Sequence, residues 1–162
     1  MNILTDIVRN PMFLSAGGSW LVAQVSKIIY ETIRYGFNSG RLTGGGGMPS
    51  SHSATVTGLT VGCLLSGSAR SPEFAVSLFL AMVVIYDAMG VRYETGQQAK
   101  ILNAMRRRDI EEGREPLFDK ELDEKMGHTL AEVIVGILIG IGMALLMCLW
   151  AWPLIDGALA GM

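Results

Sequence analysis

The chain has two histidines, and each stands where an imidazole could do chemistry. His52 closes the stretch Gly44-Gly45-Gly46-Gly47-Met48-Pro49-Ser50-Ser51-His52. A glycine run leading into proline suits the first turn of a helix, and Ser50 and Ser51 can cap that turn. The exposed N–H groups and positive dipole end of such a turn form an anion site. A histidine placed there can donate a proton beside a bound oxyanion. His128 is followed four residues later by Glu132, so the two share one helix face. A carboxylate in that position holds an imidazole in one tautomer and raises its basicity. Glu132 also stands where an uncharged run begins, and an ionisable group there is costly without a purpose. Further charges gather at helix ends: Lys27 and Arg34 with Glu31 between them, then Asp87 and Arg92. Snorkelling and ion pairing are the plain roles for these residues. Their convergence on one level of the chain's apolar segments is what an interfacial anion site requires.

The elements that must position these residues follow from the distribution of charge. Half of the 162 residues are hydrophobic and only 17% are charged, against roughly 25% in average globular chains. Of the 28 Lys, Arg, Asp and Glu residues, 17 lie between Arg92 and Lys125. That excludes an evenly solvated globule and a disordered chain. The net charge of −2 argues against a nucleic-acid partner. Cys63 and Cys148 both lie in apolar runs and read as small buried hydrophobes. A bilayer core takes about 20 apolar residues in helix, and four segments answer to this: 12–35, 52–69, 73–91 and 128–152. The expected fold is therefore an all-α integral membrane bundle of about four spans, forming one domain. The charged loop 92–127 is expected to make a cytoplasmic two-helix hairpin broken at Gly113–Pro116. It holds eight of the thirteen Lys and Arg residues, so the positive-inside tendency places it, and the histidines, on the cytoplasmic face of a bacterial-type inner membrane. Gly58 and Gly62, and Gly136 and Gly140, allow close helix approach within or between chains; a homo-oligomer through these small-residue faces is one expectation.

Three segments together carry a resemblance: Gly46-Gly47-Met48-Pro49-Ser50-Ser51-His52-Ser53-Ala54, Tyr86-Asp87-Ala88-Met89-Gly90-Val91-Arg92 with Gly96-Gln97-Gln98-Ala99, and Gly127-His128-Thr129-Leu130-Ala131-Glu132-Val133. From about Gln24 to Gly142 the chain resembles the divergent branch of the type 2 phosphatidic acid phosphatase superfamily, also described as acid phosphatase or vanadium-dependent haloperoxidase-related. In the superfamily pattern, Lys27 and Arg34 match the first motif, with Tyr35 in place of proline. Pro49, Ser50 and His52 match the second, with Ser51 in place of glycine. His128 matches the histidine of the third, with Glu132 as its acid partner. The serine and arginine of that third motif fall on Glu121 and Leu122, which leaves Lys125 or Arg92 to supply the second phosphate-binding charge.

The resemblance implies a mechanism. His128 would attack phosphorus to form a phosphohistidine, Glu132 would stabilise the imidazolium, and His52 would protonate the leaving oxygen and later activate water. Lys27, Arg34, Ser50, Ser51 and Arg92 would hold the phosphate oxygens, with Asp87 in support. No metal or other cofactor is expected, and vanadate or phosphate should occupy the site as substrate analogues. The expected partner is a membrane lipid or polyprenyl phosphate. The alternative is a protein that binds or moves a phosphorylated lipid without hydrolysing it.

Overall fold

A computed structural model of the chain describes residues 3–36, 46–154 and 157. Gly44 and Gly45 of the glycine run lie outside the described residues. The described residues form helices α1 (Ile3–Val8), α2 (Pro11–Tyr35), α3 (Ser51–Ser66), α4 (Pro72–Met89), α5 (Val91–Glu111) and α6 (Leu130–Leu146). A π-helical turn, Met147–Ala151, extends α6. The boundaries have local causes. Asn10 Oδ1 accepts the N–H groups of Met12 and Phe13, and Pro11 opens α2. Ser71 Oγ accepts the N–H of Phe74 ahead of Pro72 in α4. Both combine a side-chain N-cap with proline in the first turn.

Among the described residues, three helical stretches are long and apolar enough to cross a membrane: Pro11–Tyr35, Pro72–Glu111 and Leu130–Leu154. The third apolar segment ends at Gly90, after which α5 continues as a charged helix. The second expected span, α3, has 16 residues, or about 24 Å of rise against a core of about 30 Å. It sits centrally, packed against α2, α4 and α6. Its buried residues are mostly small: Ser51, Ser53, Ala54, Val56, Gly58, Thr60, Gly62 and Cys63. A helix enclosed by its neighbours needs small side chains more than length.

The burial pattern is the inverse of a soluble core. Ala23, Ala54 and Ala144 are fully buried, whereas Phe79, Leu138 and Ile29 are more than half exposed. Without a hydrophobic drive between helices in lipid, packing relies on small residues and close backbones, and the large apolar side chains face outward. Gly136 and Gly140 let α6 lie against the backbone of Ser50–Gly58 in α3, and Gly58 and Gly62 receive Ser15 and Ser19 of α2. Both glycine pairs are occupied within one chain, so pairing of copies would have to use another face. The buried hydroxyls are satisfied locally: Ser15 donates to Pro11 O, Ser19 to Ser15 O, and Thr60 to Val56 O and Ser77 O.

The charged stretch departs from the expected two-helix hairpin. Its first arm is α5; its return arm, residues 112–129, is a non-helical strap. Gly113, at φ +72°, turns the chain, and the strap's backbone is held by side chains of α5 instead of its own helical bonds. Asn103, 1% exposed, acts as a peptide group: Nδ2 donates to Leu122 O and Oδ1 accepts the Leu122 N–H, both at 2.9 Å. Arg106 donates to Phe118 O and Asp119 O, and Arg107 pairs with Glu121 and Glu124. Gly127, at φ +77°, then crosses the backbone of Tyr93 where a Cβ would collide.

Candidate functional site

The packing sets directions. In register, Gly136 meets Ser50–Ala54 and Gly140 meets Ala54–Gly58, so α3 and α6 run parallel. Gly58 and Gly62 meet Ser19 and Ser15, so α2 runs antiparallel to α3. The N-termini of α3 and α6 therefore lie side by side, joined by a bond from Ser50 N to Glu132 O at 3.1 Å. Each helix start carries about half a positive charge. The C-terminal half of α2 and the end of α4 arrive at the same level.

Ser50 caps α3: its Oγ accepts the N–H and the hydroxyl of Ser53, at 3.2 and 2.9 Å. The N–H groups of Ser51 and His52 keep no partner among the described residues. Thr129 caps α6 in a reciprocal box, with Glu132 N donating to Thr129 Oγ1 and Glu132 Oε2 accepting the Thr129 N–H at 3.0 Å. The same Oε2 lies 3.1 Å from His128 Nδ1. His128 is 2% exposed, and its backbone N–H donates to Ala88 O at the end of α4. With Nδ1–H donated to the carboxylate, Nε2 carries the lone pair. Nε2 is buried and has no hydrogen-bond partner among the described residues. Buried polar atoms are nearly always paired, so such an atom calls for an explanation.

His52 stands opposite on α3, exposed, with ring centroids 6.1 Å apart and planes tilted by 57°. The two rings make no hydrogen bond to each other. Lys27, Arg92 and Asp87 all lie within electrostatic range of His52. Arg92 Nε is bonded to Asp87 Oδ2 at 2.5 Å. Lys27 is 5% exposed and within electrostatic range of Glu31, Lys125 and Glu132; it forms no ion pair among the described residues. A cleft of about 180 Å³ between Met89, Tyr93, His128, Thr129 and Leu130 opens beside His128.

The structure thus brings together His52, His128, Glu132, Ser50, Ser51, Lys27, Asp87 and Arg92. Arg34 stands apart: it is exposed, bonded to the Tyr30 hydroxyl and stacked near the Tyr35 ring. Leu122, where the third-motif arginine would fall, is turned to Asn103 by its backbone bonds. Two features went unread in the sequence. Lys125 Nζ lies 2.5 Å from Glu31 Oε1, a pair 94 residues apart, and Gly46 and Gly47 run past it where a Cβ at either would collide. The Ala88 carbonyl that receives the His128 N–H is a backbone group with no sequence signature.

A membrane helical bundle with a histidine–carboxylate site at one end is the class these features define. The chain belongs to the Divergent PAP2 family, whose profile matches residues 8–143. It is 34% identical over 152 residues to a Bacillus subtilis (strain 168) protein named "Uncharacterized membrane protein YuiD", covering 88% of this chain and 96% of that one. No solved structure matches the chain.

Proposed function

We propose that this protein is a membrane phosphohydrolase acting on a lipid or polyprenyl phosphate through a phosphohistidine. The observation that carries the reading is the buried, unpartnered Nε2 of His128, with Nδ1 held by Glu132 and His52 across a gap. In this reading His128 Nε2 attacks phosphorus in line and the P–O ester bond breaks. His52 gives its proton to the departing alkoxide, then takes one from the water that cleaves the P–N bond and returns phosphate. Glu132 stabilises the imidazolium. The N–H groups of Ser51 and His52, Lys27, Arg92 and Lys125 stabilise charge on the transferring group. The bundle's apolar exterior favours a lipid ester over a soluble one.

Binding without turnover is the second reading, favoured by one observation: Leu122 is tied to Asn103, with no arginine in its place. Phosphate release from a panel of lipid phosphates separates the two, using wild type, His52→Ala and His128→Ala. Turnover lost in His128→Ala supports the hydrolase; turnover kept in that variant refutes the nucleophile. A melting temperature raised by vanadate with no turnover of any lipid supports binding alone. The eight Lys and Arg residues from Arg92 to Lys125 favour a cytoplasmic site in an inner membrane. Labelling of an Arg114→Cys variant in intact cells by an impermeant thiol reagent would overturn that orientation.

A further inference from the structure

An open groove of about 670 Å³ runs between α3 and α4. Thr57 and Thr60 of α3 form its floor, and Leu78, Ala81, Met82 and Met89 of α4 its wall. The site reaction described above does not use it. Met89 lines both this groove and the His128 cleft, so the two adjoin at that side chain. The link is reinforced one residue earlier, where Ala88 O accepts the His128 N–H at 2.9 Å. At the far end Thr60 Oγ1 donates to Ser77 O at 3.0 Å, tying α3 to α4 beside Leu78. That hydroxyl, which also bonds Val56 O, is therefore satisfied and seeks no polar ligand. Between Met89 and Leu78 the wall rises about 16 Å, close to half of a hydrocarbon core of about 30 Å. The lined stretch of α4 is thus about one leaflet deep, from Met89 beside the His128 cleft to Leu78 beside the helix–helix tie. Met82 and Leu78 are partly exposed along it, so it is open sideways.

We infer that this groove seats one hydrocarbon chain of the phosphate ester, resting on the reading of the His52–His128 gap as the phosphate site. The ester oxygen would lie near Met89, the chain would descend past Ala81 and Met82, and the Thr60–Ser77 tie would set how much of it is held. Ala81, 6% exposed, becomes the specificity-determining position: a larger side chain there shortens the seat from the middle.

The test uses the full-length protein in detergent with hexadecyl phosphate carrying a diazirine at mid-chain, and hexadecanol with the same diazirine as the head-group control. Photo-adducts are mapped by peptide mass spectrometry. The phosphate probe should concentrate adducts on Ala81–Ile85, vanadate should displace them, and the alcohol should label the lipid faces of α4 and α6 without preference. Ala81→Phe should lower the groove adducts about tenfold by overpacking the seat, as should Met82→Trp at a more exposed position; Leu138→Trp on α6 should retain them. Adducts no denser on Ala81–Ile85 than around Leu138, while vanadate still raises the melting temperature, would overturn the groove and leave the phosphate site standing. No vanadate shift, with phosphate and alcohol probes labelling alike, would overturn the phosphate reading and the groove with it. Groove labelling that falls as protein concentration rises would put a second copy there and also overturn the proposal.

Discussion

Replacing Glu132 by glutamine removes a charge while leaving a helix cap in place. Glu132 Oε2 accepts the Thr129 N–H at 3.0 Å and stands 3.1 Å from His128 Nδ1, so one oxygen serves both donors. Glutamine is an accepted residue at this capping-box position, and the fixed Thr129 N–H requires its amide oxygen, not its NH2, at the same place. The His128 tautomer is therefore preserved in Glu132→Gln, and only the negative charge is lost. Hydrogen bonds to charged groups contribute about 1.5–3 kcal/mol and neutral ones about 1, so stabilisation of a developing imidazolium falls by about 1–2 kcal/mol. That corresponds to roughly 5- to 30-fold in rate, with little change in melting temperature. Glu132→Ala keeps the Thr129 cap but loses the reciprocal bond to the Thr129 N–H, costing about 0.5–1.5 kcal/mol of stability, and leaves buried Nδ1 unpaired at about 1–3 kcal/mol more. Initial rates of phosphate release at saturating lipid phosphate, paired with thermal unfolding in detergent, separate the two variants. A Glu132→Gln protein turning over at the wild-type rate would refute the electrostatic role and reduce Glu132 to a cap.

Lys125→Met should destabilise the protein by about 1–3 kcal/mol, because Glu31 is 6% exposed and loses its 2.5 Å partner. Adding Glu31→Gln should recover most of that loss in denaturant unfolding, and no recovery would rule out the pair as the cause. Asn103→Ala removes both backbone bonds to Leu122, so cleavage by trypsin after Arg114 or Lys120 should accelerate about 5- to 100-fold as the strap opens; an unchanged rate would show the strap is held elsewhere. Gly140→Ala places a methyl 2.6 Å from Ala54 O and should cost about 1–3 kcal/mol by overpacking. Gly142→Ala meets nothing within 4 Å and should stay within about 0.5 kcal/mol of wild type, so equal losses in the two would contradict the α3–α6 packing.

The sequence revealed what local chemistry decides. The expected apolar segments 12–35 and 73–91 fall on α2 and α4, whose starts Asn10-Pro11 and Ser71-Pro72 fix by their own side chains. The site was legible as far as each residue lay near a helix end of known direction: His52, His128, Glu132 and Asp87 meet because the ends of α3, α4 and α6 share one level, which Lys27 reaches from two turns inside α2. What stayed hidden depends on partners far along the chain. Nothing near Lys125 announces Glu31, and nothing near Asn103 announces that a side-chain amide will replace a helix's own bonds in residues 112–129. Arg34 shows the converse: its spacing from Lys27 fits a motif, but seven residues carry it close to the end of α2, where Tyr30 and Tyr35 engage it in the open. The expected segment 52–69 outruns α3, which ends at Ser66, because an uncharged run reads alike whether lipid or other helices surround it; its serines, threonines and glycines are the signal for the second case.

The shortness of α3 bears on why so few charges are embedded in this bundle and where they are. Lys27 lies eight residues, or about 12 Å, before the end of α2, level with the start of α3 and not with the end of its own helix. An ionisable residue at depth is held at a cost of about 2.5–3.5 kcal/mol by insertion scales. Lys125 offsets that cost for Glu31, and His128 and Glu132 offset one another. Lys27, 5% exposed and without an ion pair among the described residues, has only long-range neighbours. A methionine would fill the same volume more stably, so packing alone does not account for a cation there. A dianion between the two histidines would be attracted by Lys27 and by the paired starts of α3 and α6, and could accept a bond at the orphaned His128 Nε2 in its protonated state. One ligand class therefore accounts for both anomalies, which is the strongest physical reason to treat this end of the bundle as a phosphate site.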